Sequence, residues 1–242
     1  MGISGFIGLL DYLSKQSKII ELNNSKYVVK SYASEHGILK WYLVALGNIP
    51  IQKFPFVHDP VKRMEREVSF MRRADCFSKP EIYIVDYKEV KIVRSFINGV
   101  VYGFNAPLNI HSLVARELGA CHEAGWVLGD TKISNFIVGD GEVYIIDAEQ
   151  AIDKYNHEFA AWDLLVLIST LSIDGYIESI TTNRYGEVVK TILSSYLNEF
   201  REAGEVIKAL STSEFKLLAY ILIPFPLNIT YHRVISEFKN SK

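Results

Sequence analysis

The chain has 242 residues, of which 49% are hydrophobic and 22% are charged. This composition is that of a folded protein with a sizeable core, and it excludes an intrinsically disordered chain. The formal net charge of −2 lacks the basic excess with which proteins bind nucleic-acid phosphates, so a nucleic-acid partner is not indicated. We expect one large domain or two small lobes.

The cysteines and the apolar segments bear on the cellular compartment. Cys76 and Cys121 lie far apart in the sequence and lack the spacing of a zinc site, so we expect reduced thiols and no disulfide. The N-terminal apolar stretch lacks the flanking residues of a signal peptide. The longest apolar run, Leu217 to Leu227, contains two prolines and is shorter than the roughly 20 residues that span a bilayer. These features predict a soluble cytoplasmic protein.

The first part of the chain mixes strand and helix patterns. Residues 5–14 predict a short amphipathic helix. The runs SKIIEL and YVVKSY, separated by Asn23-Asn24-Ser25, predict a hairpin whose second strand carries Lys30. The segment VKRMEREVSFMRRA predicts a helix with Asp59 as its N-cap and Glu67 beside its apolar stripe. The runs EIYIVD and VKIVRSFI predict two further strands.

Helical patterns dominate after Asn98. Residues 110–124 predict a helix that stops at Gly125. The loop GDTKISN follows, and then the strands FIV and VYII, joined by a Gly-Asp-Gly turn, lead to Asp147. Apolar periodicity then predicts helices over FAAWDLLVLISTL, EVVKTILSSYLNEFREAG, EVIKAL and SEFKLLAYILI. We therefore expect one α+β domain, with a β-rich lobe over residues 1–98 and a helical lobe over residues 99–242.

The residue types around the predicted hairpin point to phosphoryl transfer. This reaction needs a cationic grip on the nucleotide phosphates, oxygen ligands for a metal and a base at the acceptor hydroxyl. Asp130, Asn135 and Asp147 can supply the base and the oxygen ligands that Mg²⁺ prefers. Lys30, held by Glu67 from the helix, can supply the cation. The pattern indicates a phosphotransferase that uses ATP with Mg²⁺ or Mn²⁺.

These residues also carry a resemblance to a known family. The order of Lys30, Glu67, GDTKISN and IIDAE resembles the protein-kinase-like fold in a minimal, atypical form. It is most similar to small kinases such as the KEOPS-complex kinase and the RIO family, and more distantly to lipopolysaccharide kinases. The resemblance extends over residues 25–170, with its specific core at residues 122–149. It implies a bilobal fold with a small β-rich N-lobe and a reduced helical C-lobe.

The resemblance implies a role for each residue of the loop and hairpin. Asp130 matches the catalytic base, and Lys132 matches the catalytic-loop lysine that meets the γ-phosphate. Asn135 and Asp147 match the two magnesium ligands. Asp163 matches a structural aspartate that braces the catalytic loop.

The resemblance likewise implies a nucleotide-binding role for residues of the first lobe. Lys30 and Glu67 match the ion pair that grips the nucleotide phosphates. The segment RSFINGV resembles the hinge between the lobes, where the backbone of Ser95 and Ile97 would face adenine.

The sequence departs from the family pattern at several points. Leu128 stands where the family has a histidine, and Asp147-Ala148-Glu149 is a DxE pattern like that of aminoglycoside and choline kinases. The connection after Glu149 is too short for a long activation segment. No GxGxxG loop directly precedes SKIIEL, so the loop that covers the phosphates is absent or built in another way.

Three functions are consistent with this pattern. The first is an atypical Ser/Thr protein kinase without a long activation segment. The second is a small-molecule or sugar kinase of the same fold, which the DxE pattern favours and Lys132 disfavours. The third is a pseudokinase that acts as an interaction module, which the missing glycine loop favours. The acceptor is accordingly a protein or a small molecule of unknown identity.

Several neighbouring residues have two interpretations. Glu65 lies on the same predicted helix as Glu67 and is an alternative partner for Lys30. Glu149 is either a further metal ligand or a carboxylate bonded to nearby backbone, and His122 is expected to be a packed or capping residue. The basic residues of the predicted helix are expected to form a solvated face, which could instead dock an acidic partner or RNA. They are Arg63, Arg66, Arg72 and Arg73.

Overall fold

A computed structural model describes residues 17–33 and 53–240. The predicted helix over residues 5–14 and the connector before residue 53 lie outside these described residues. The strand and helix patterns that fall inside them are confirmed at most boundaries to within a few residues.

The first sheet is antiparallel and consists of β1 (Ser17–Leu22), β2 (Ser25–Ser31), β3 (Ile82–Asp86) and β4 (Lys91–Ser95), in the order β1-β2-β4-β3. Asn23 and Asn24 join β1 to β2 with φ angles of 51° and 62°. Asparagine tolerates this left-handed conformation, which the tightest hairpin turns require. The turn fixes the register of β1 and β2, in which Lys30 lies opposite Ser17. On the other side of β2, Lys30 lies opposite Ile92 of β4.

Helix α1 (Pro60–Arg73) packs against the first sheet. The Asp59 side chain accepts a hydrogen bond from the Lys62 N–H at 2.8 Å, as expected for an N-cap. Met64 and Val68 of α1 form a small core with Tyr32 and Ile92 of the sheet.

The expectation of a solvated basic face on α1 is wrong for one of its arginines. Arg72 and Arg73 are exposed and Arg66 is half-buried, but Arg63 has no exposed surface. Arg63 lies four residues before Glu67, so helical periodicity places both side chains on the face that packs toward the sheet.

The second half of the chain contains a second sheet and a helical bundle. Strands β5 (Val100–Val101), β6 (Phe136–Gly139) and β7 (Glu142–Ile145) form an antiparallel sheet in that order. The remaining helices are α2 (Leu108–Glu123), α3 (His157–Asp174), α4 (Tyr176–Thr181), α5 (Arg184–Glu199), α6 (Ala203–Leu210), α7 (Ser213–Leu222) and α8 (Leu227–Asn240). The sequence patterns had not predicted α4 and α8.

The main hydrophobic core lies among these helices and reaches the second sheet and the end of α1. Helix α3 is buried on nearly every side, with leucines and alanines that have no exposed surface. In the described part of the chain, no helix is long and apolar enough to cross a membrane.

The expectation of two reduced thiols is wrong. Cys76, three residues after α1, forms a disulfide with Cys121 on α2, and their Cα atoms are 5.1 Å apart. This Cα separation lies in the range that a disulfide requires. Local sequence patterns contain no sign of the pair because the two residues are separated by 45 positions. Intracellular disulfides occur mainly in proteins of hyperthermophiles.

The segment before α1 is tied to the segment after Asp147. The Gln150 side chain accepts a hydrogen bond from the Val57 N–H and donates one to the Val57 carbonyl, both at 2.9 Å. Arg66 of α1 donates to the carbonyls of Pro55 and Gln150 at 3.1 and 3.3 Å. The start of α1 is therefore fixed to the loop that follows β7.

His111 makes the stability of the helical part depend on pH. This residue of α2 is fully buried, 2.6 Å from the Tyr102 hydroxyl, and burial lowers the pKa of His111 to about 4. The unfolded chain, with a histidine pKa near 6.5, binds more protons than the folded chain between these two values. Stability is therefore present above about pH 6.5 and is lost as the pH falls toward 4.

We expect the free energy of unfolding at pH 5 to be about 1 to 2 kcal/mol lower than at pH 7.5 because of His111. The measurement is urea unfolding at both pH values for the wild type and His111→Gln. The variant lacks the titrating group, so its loss between the two pH values should be smaller by that amount. Equal losses for both proteins would contradict the assignment.

Candidate active site

Lys30 projects from β2 into a cluster of carboxylates at the boundary between the first sheet and the helical part. Its Nζ lies 2.5 Å from Glu67, 2.8 Å from Asp147 and 3.7 Å from Glu149. Burial alone would lower the pKa of Lys30, but the three carboxylates outweigh it and raise the pKa above its usual value. Lys30 is therefore a buried, charged ammonium.

Glu67, and not Glu65, contacts Lys30. Glu67 is fully buried on the face of α1 that packs toward the sheet, whereas Glu65 is exposed. Burial raises the pKa of the Glu67 carboxyl against the opposing effect of Lys30.

Asp147 reaches this cluster because of the β6–β7 hairpin. The register pairs Phe136 with Ile145, and the Ile146 N–H donates to the Asn135 carbonyl at 2.9 Å. The hairpin thus places Asn135 next to the residue that precedes Asp147. The Asp147 side chain is 23% exposed, so one side of it remains open to a ligand.

Asp130, Lys132 and Asn135 form a second group on the loop before β6. Lys132 Nζ lies 2.5 Å from the Asp130 carboxylate. Asn135 Nδ2 donates to the Asp130 carbonyl at 2.7 Å. This bond fixes the orientation of the carboxamide, so that its oxygen points away from the Asp130 carbonyl.

Asp163 on α3 holds the Asp130 loop. Its carboxylate accepts from the N–H groups of Leu128 and Gly129 at 2.7 and 2.6 Å, and its carbonyl accepts from the Thr131 hydroxyl at 2.6 Å. Gly129 has a φ of +75°, and a Cβ there would lie 2.4 Å from Phe54. Both the backbone conformation and the space therefore require glycine immediately before Asp130.

His122 contacts Asp163 and helps to hold it in place. It is buried on α2, with Nδ1 2.5 Å from the Tyr196 hydroxyl and Nε2 3.2 Å from the Asp163 carboxylate. The interpretation of His122 as a packed residue is confirmed.

Two buried arginines of the site were missed by sequence reasoning. Arg63 donates to Glu149 at 2.7 Å, and Arg94 of β4 donates to the Ile146 carbonyl at 3.1 Å. The spacing of Arg63 from Glu67 on one helix face was the available signal, but a basic run normally indicates a solvated surface. Nothing in the sequence around Arg94 distinguished it from an ordinary strand residue.

The carboxylate cluster has the chemistry of a divalent-cation site. Oxygen atoms of Glu67, Asp147 and Glu149 lie within 4.8 Å of one another. Mg²⁺ binds oxygen ligands and usually retains several waters, so one or two protein ligands beside a nucleotide suffice. The open side of Asp147 and the oriented amide of Asn135 fit this requirement.

Ser95 and Ile97, expected at the adenine, lie on the connection from β4 to β5. The Ser95 N–H donates to the Glu81 carbonyl at 2.9 Å, and the Ser95 hydroxyl accepts from the Glu81 N–H at 2.9 Å. The Ser95 carbonyl accepts from Arg94 Nη1 at 3.5 Å. Strand β4 ends at Ser95 and Ile97 is half-buried beyond it, so the predicted strand was two residues too long.

The order of these parts defines the class of the fold. An antiparallel sheet carries a lysine paired with a helix glutamate, and a mostly helical part follows with an aspartate loop and an aspartate-bearing hairpin. This is an α+β, kinase-like fold, as the sequence predicted.

Comparison with known proteins points to a particular group. The chain matches no protein-family model. It is 36% identical over 95 residues to the KEOPS complex subunit Bud32 of Pyrococcus abyssi, an alignment that covers 36% of this chain and 43% of that protein. The predicted resemblance to the KEOPS-complex kinase is thereby confirmed.

The chain also aligns, over a longer range, with probable bifunctional tRNA threonylcarbamoyladenosine biosynthesis proteins. Identity is 32% over 147 residues with the protein of Methanoculleus marisnigri, covering 60% of this chain and 26% of that protein. It is 27% over 147 residues with that of Methanosarcina mazei, covering 61% and 26%. The alignments span less than half the length of each of these three relatives.

Two solved structures align with most of the chain. WaaP in complex with acyl carrier protein gives a TM-score of 0.46 at 16% identity, covering 92% of this chain and 84% of that one. Choline kinase LicA from Streptococcus pneumoniae gives a TM-score of 0.44 at 12% identity, covering 92% and 89%.

Proposed function

We propose that the chain is an ATP- and magnesium-dependent phosphotransferase. The observation that carries this proposal is the meeting of Lys30, Glu67 and Asp147 in one buried ion-pair cluster. The aspartate loop with Asp130 and Asn135 reaches the same hairpin. Phosphoryl transfer depends mainly on such positioning and charge neutralisation.

Asn135 and Asp147 hold the metal in this proposal. Mg²⁺, or Mn²⁺ in its place, would supply positive charge that neutralises the nucleotide phosphates. The hairpin fixes the backbone of both residues, and the bond from Asn135 Nδ2 to Asp130 orients the remaining amide oxygen.

Lys30 binds the nucleotide phosphates, and Glu67 orients it. Asp147 contacts the ammonium at 2.8 Å in the structure. Asp147 would hold the metal when it is bound, and Lys30, oriented by Glu67, would supply positive charge to the nucleotide phosphates. The backbone of Ser95 and Ile97 is proposed to face the adenine ring.

Asp130 is the proposed base for the acceptor hydroxyl. Its side chain is 15% exposed and touches Lys132. A carboxylate in this position can accept the proton of an acceptor hydroxyl. Lys132 Nζ lies 2.5 Å from the Asp130 carboxylate, so its ammonium would neutralise negative charge on the group that is transferred to the acceptor.

We propose a serine or threonine hydroxyl of a protein as the acceptor, supported by Lys132 at its family-like position. One observation favours a small-molecule acceptor as the second candidate. Helix α3 begins at His157, so only residues 148–156 separate it from Asp147. This connection leaves no room for a long peptide-docking segment.

A protein partner is also proposed. The relative from Pyrococcus abyssi is named as a subunit of the KEOPS complex, and the relatives from Methanoculleus marisnigri and Methanosarcina mazei are named as bifunctional proteins. Pull-down of the tagged chain with candidate subunits of such a complex tests this proposal. A failure of all of them to bind would remove it.

Nucleotide binding is tested by thermal unfolding with ATP and Mg²⁺. A ligand at 100 times its Kd stabilises the folded state by about 2.7 kcal/mol, which for a chain of this size raises Tm by about 5 to 10 °C. We expect this shift for the wild type and a much smaller one for Lys30→Met. A wild type that shows no shift at millimolar ATP would favour the pseudokinase.

Transfer itself is tested with radiolabelled ATP, a protein pool and a metabolite pool. We expect Asp130→Asn to retain the thermal shift with ATP and Mg²⁺ but to lose label transfer, because the base is not needed for nucleotide binding. Label in the protein pool supports the first acceptor, and label in the metabolite pool supports the second.

A further inference from the structure

Arg63 is a buried cation whose one charged partner is a carboxylate of the site. It lies on the inner face of α1, one turn before Glu67, and has no exposed surface. Its Nη2 donates to Glu149 at 2.7 Å. In the described part of the chain, Nε and Nη1 of Arg63 have no hydrogen-bond partner. The guanidinium pairs with Glu149 and lies over the Tyr32 ring, with Cζ 5.9 Å from the ring centroid.

Glu149 is one of three carboxylates that compete for Lys30. It lies 3.7 Å from Lys30 Nζ, while Glu67 and Asp147 lie at 2.5 and 2.8 Å. The attraction between unit charges rises as their distance falls and is strong in a buried site. The pairing of Glu149 with Arg63 at 2.7 Å offsets the attraction of Glu149 for Lys30.

We infer that Arg63 is a positioning residue for Lys30: by pairing with Glu149, it keeps the Lys30 ammonium directed at Glu67, at Asp147 and hence at the nucleotide phosphates. This inference rests on the proposed function, because it concerns the lysine that grips the nucleotide.

The position of Arg63 on α1 gives the pairing a second consequence. Glu67 also projects from α1, so the helix contributes one anion and one cation to the cluster, spaced by one turn. The two ion pairs Lys30–Glu67 and Arg63–Glu149 join β2, α1 and the loop after β7. Helix α1 therefore supplies the cation that pairs with Glu149, in the loop after Asp147, as well as the anion that pairs with Lys30.

The test compares five variants by their Kd for ATP with Mg²⁺, measured by calorimetry, and by their Tm without nucleotide. Arg63→Met removes the charge but keeps the aliphatic part, and Arg63→Lys keeps the charge. Glu149→Gln removes the competing carboxylate, and Arg63→Met/Glu149→Gln removes both. Arg72→Met is the matched control, since Arg72 lies on the exposed side of the same helix.

We expect Arg63→Met to raise the Kd for ATP with Mg²⁺ at least tenfold, and Arg63→Lys to stay within threefold of the wild type. Arg72→Met should leave the Kd unchanged. The double variant should bind ATP within threefold of Glu149→Gln, because Arg63 acts only through Glu149. If Arg63 were only structural, Arg63→Met would lower Tm both in the wild type and in the Glu149→Gln variant. Glu149→Gln would then not restore the Kd for ATP that Arg63→Met had raised.

Two results would overturn the inference. One is an Arg63→Met variant that folds and binds ATP like the wild type. The other is a double variant that binds at least tenfold more weakly than Glu149→Gln, a comparison that remains available if Arg63→Met alone does not fold. A wild type that does not bind ATP with Mg²⁺ instead refutes the proposed function, and the inference with it.

Discussion

Replacement of Asp147 by asparagine is expected to reduce phosphoryl transfer by at least about 1000-fold. Removing an ionised metal ligand forfeits several kcal/mol of transition-state stabilisation, and each 1.4 kcal/mol is tenfold in rate. Asp147→Asn also removes the contact with Lys30 at 2.8 Å. The stabilisation by ATP that depends on Mg²⁺ should be lost in the same variant. The measurements are initial rates and thermal unfolding with and without Mg²⁺.

Asp140→Asn is the matched control for this variant. Asp140 lies in the exposed turn of the same hairpin with a φ of 52°, a conformation that asparagine also tolerates. We expect its rate and its response to Mg²⁺ to equal those of the wild type. An Asp147→Asn variant with normal transfer would show that Asp147 is not the metal ligand.

Reduction of the Cys76–Cys121 disulfide is expected to have the largest effect on stability. The bond closes a loop of 45 residues, for which the chain-entropy model gives about 4 kcal/mol. The measured contribution of a disulfide is often smaller than this model predicts, so we expect the free energy of unfolding to fall by about 2 to 4 kcal/mol. Denaturant unfolding with and without a reductant, after quantification of free thiols, measures this loss.

The variant Cys76→Ala/Cys121→Ala separates the disulfide from other effects of the reductant. It should unfold at the midpoint of the reduced wild type, apart from a small packing cost, and should not respond to reductant. Free thiols in the wild type purified without reductant would contradict the disulfide.

Much of the candidate site is predictable because its residues belong to local patterns. The hairpin turn, the helix cap at Asp59 and strand β7, which leads to Asp147, are each set by residues close in sequence. A family resemblance then predicted that these elements, although distant in the sequence, lie close together. That resemblance depends on the order of Lys30, Glu67, Asp130, Asn135 and Asp147. In the structure Lys30 contacts Glu67 and also Asp147, while the nucleotide- and metal-binding roles of these residues stay predictions.

The missed features are long-range and have no local signature. Arg63 and Glu149 are separated by 86 positions, and the pairing depends on how α1 packs beside the loop after β7. The disulfide likewise depends on the packing of the end of α1 against α2. The sequence predicted a solvated basic face and two free thiols. These predictions treat each residue by itself and cannot include a partner that is distant in the sequence.

Helix α1 is anchored to the helical part of the molecule at both of its ends. Just before the helix, the Gln150 side chain forms two hydrogen bonds with the backbone of Val57. Just after the helix, Cys76 is linked to Cys121 by the disulfide. The middle of the helix touches the first sheet through Glu67 and Lys30. Any displacement of the first sheet relative to the helical part would therefore have to break contacts between α1 and the sheet, among them the buried Lys30–Glu67 ion pair. That ion pair makes the Lys30 contact sensitive to how the sheet sits on the helical part.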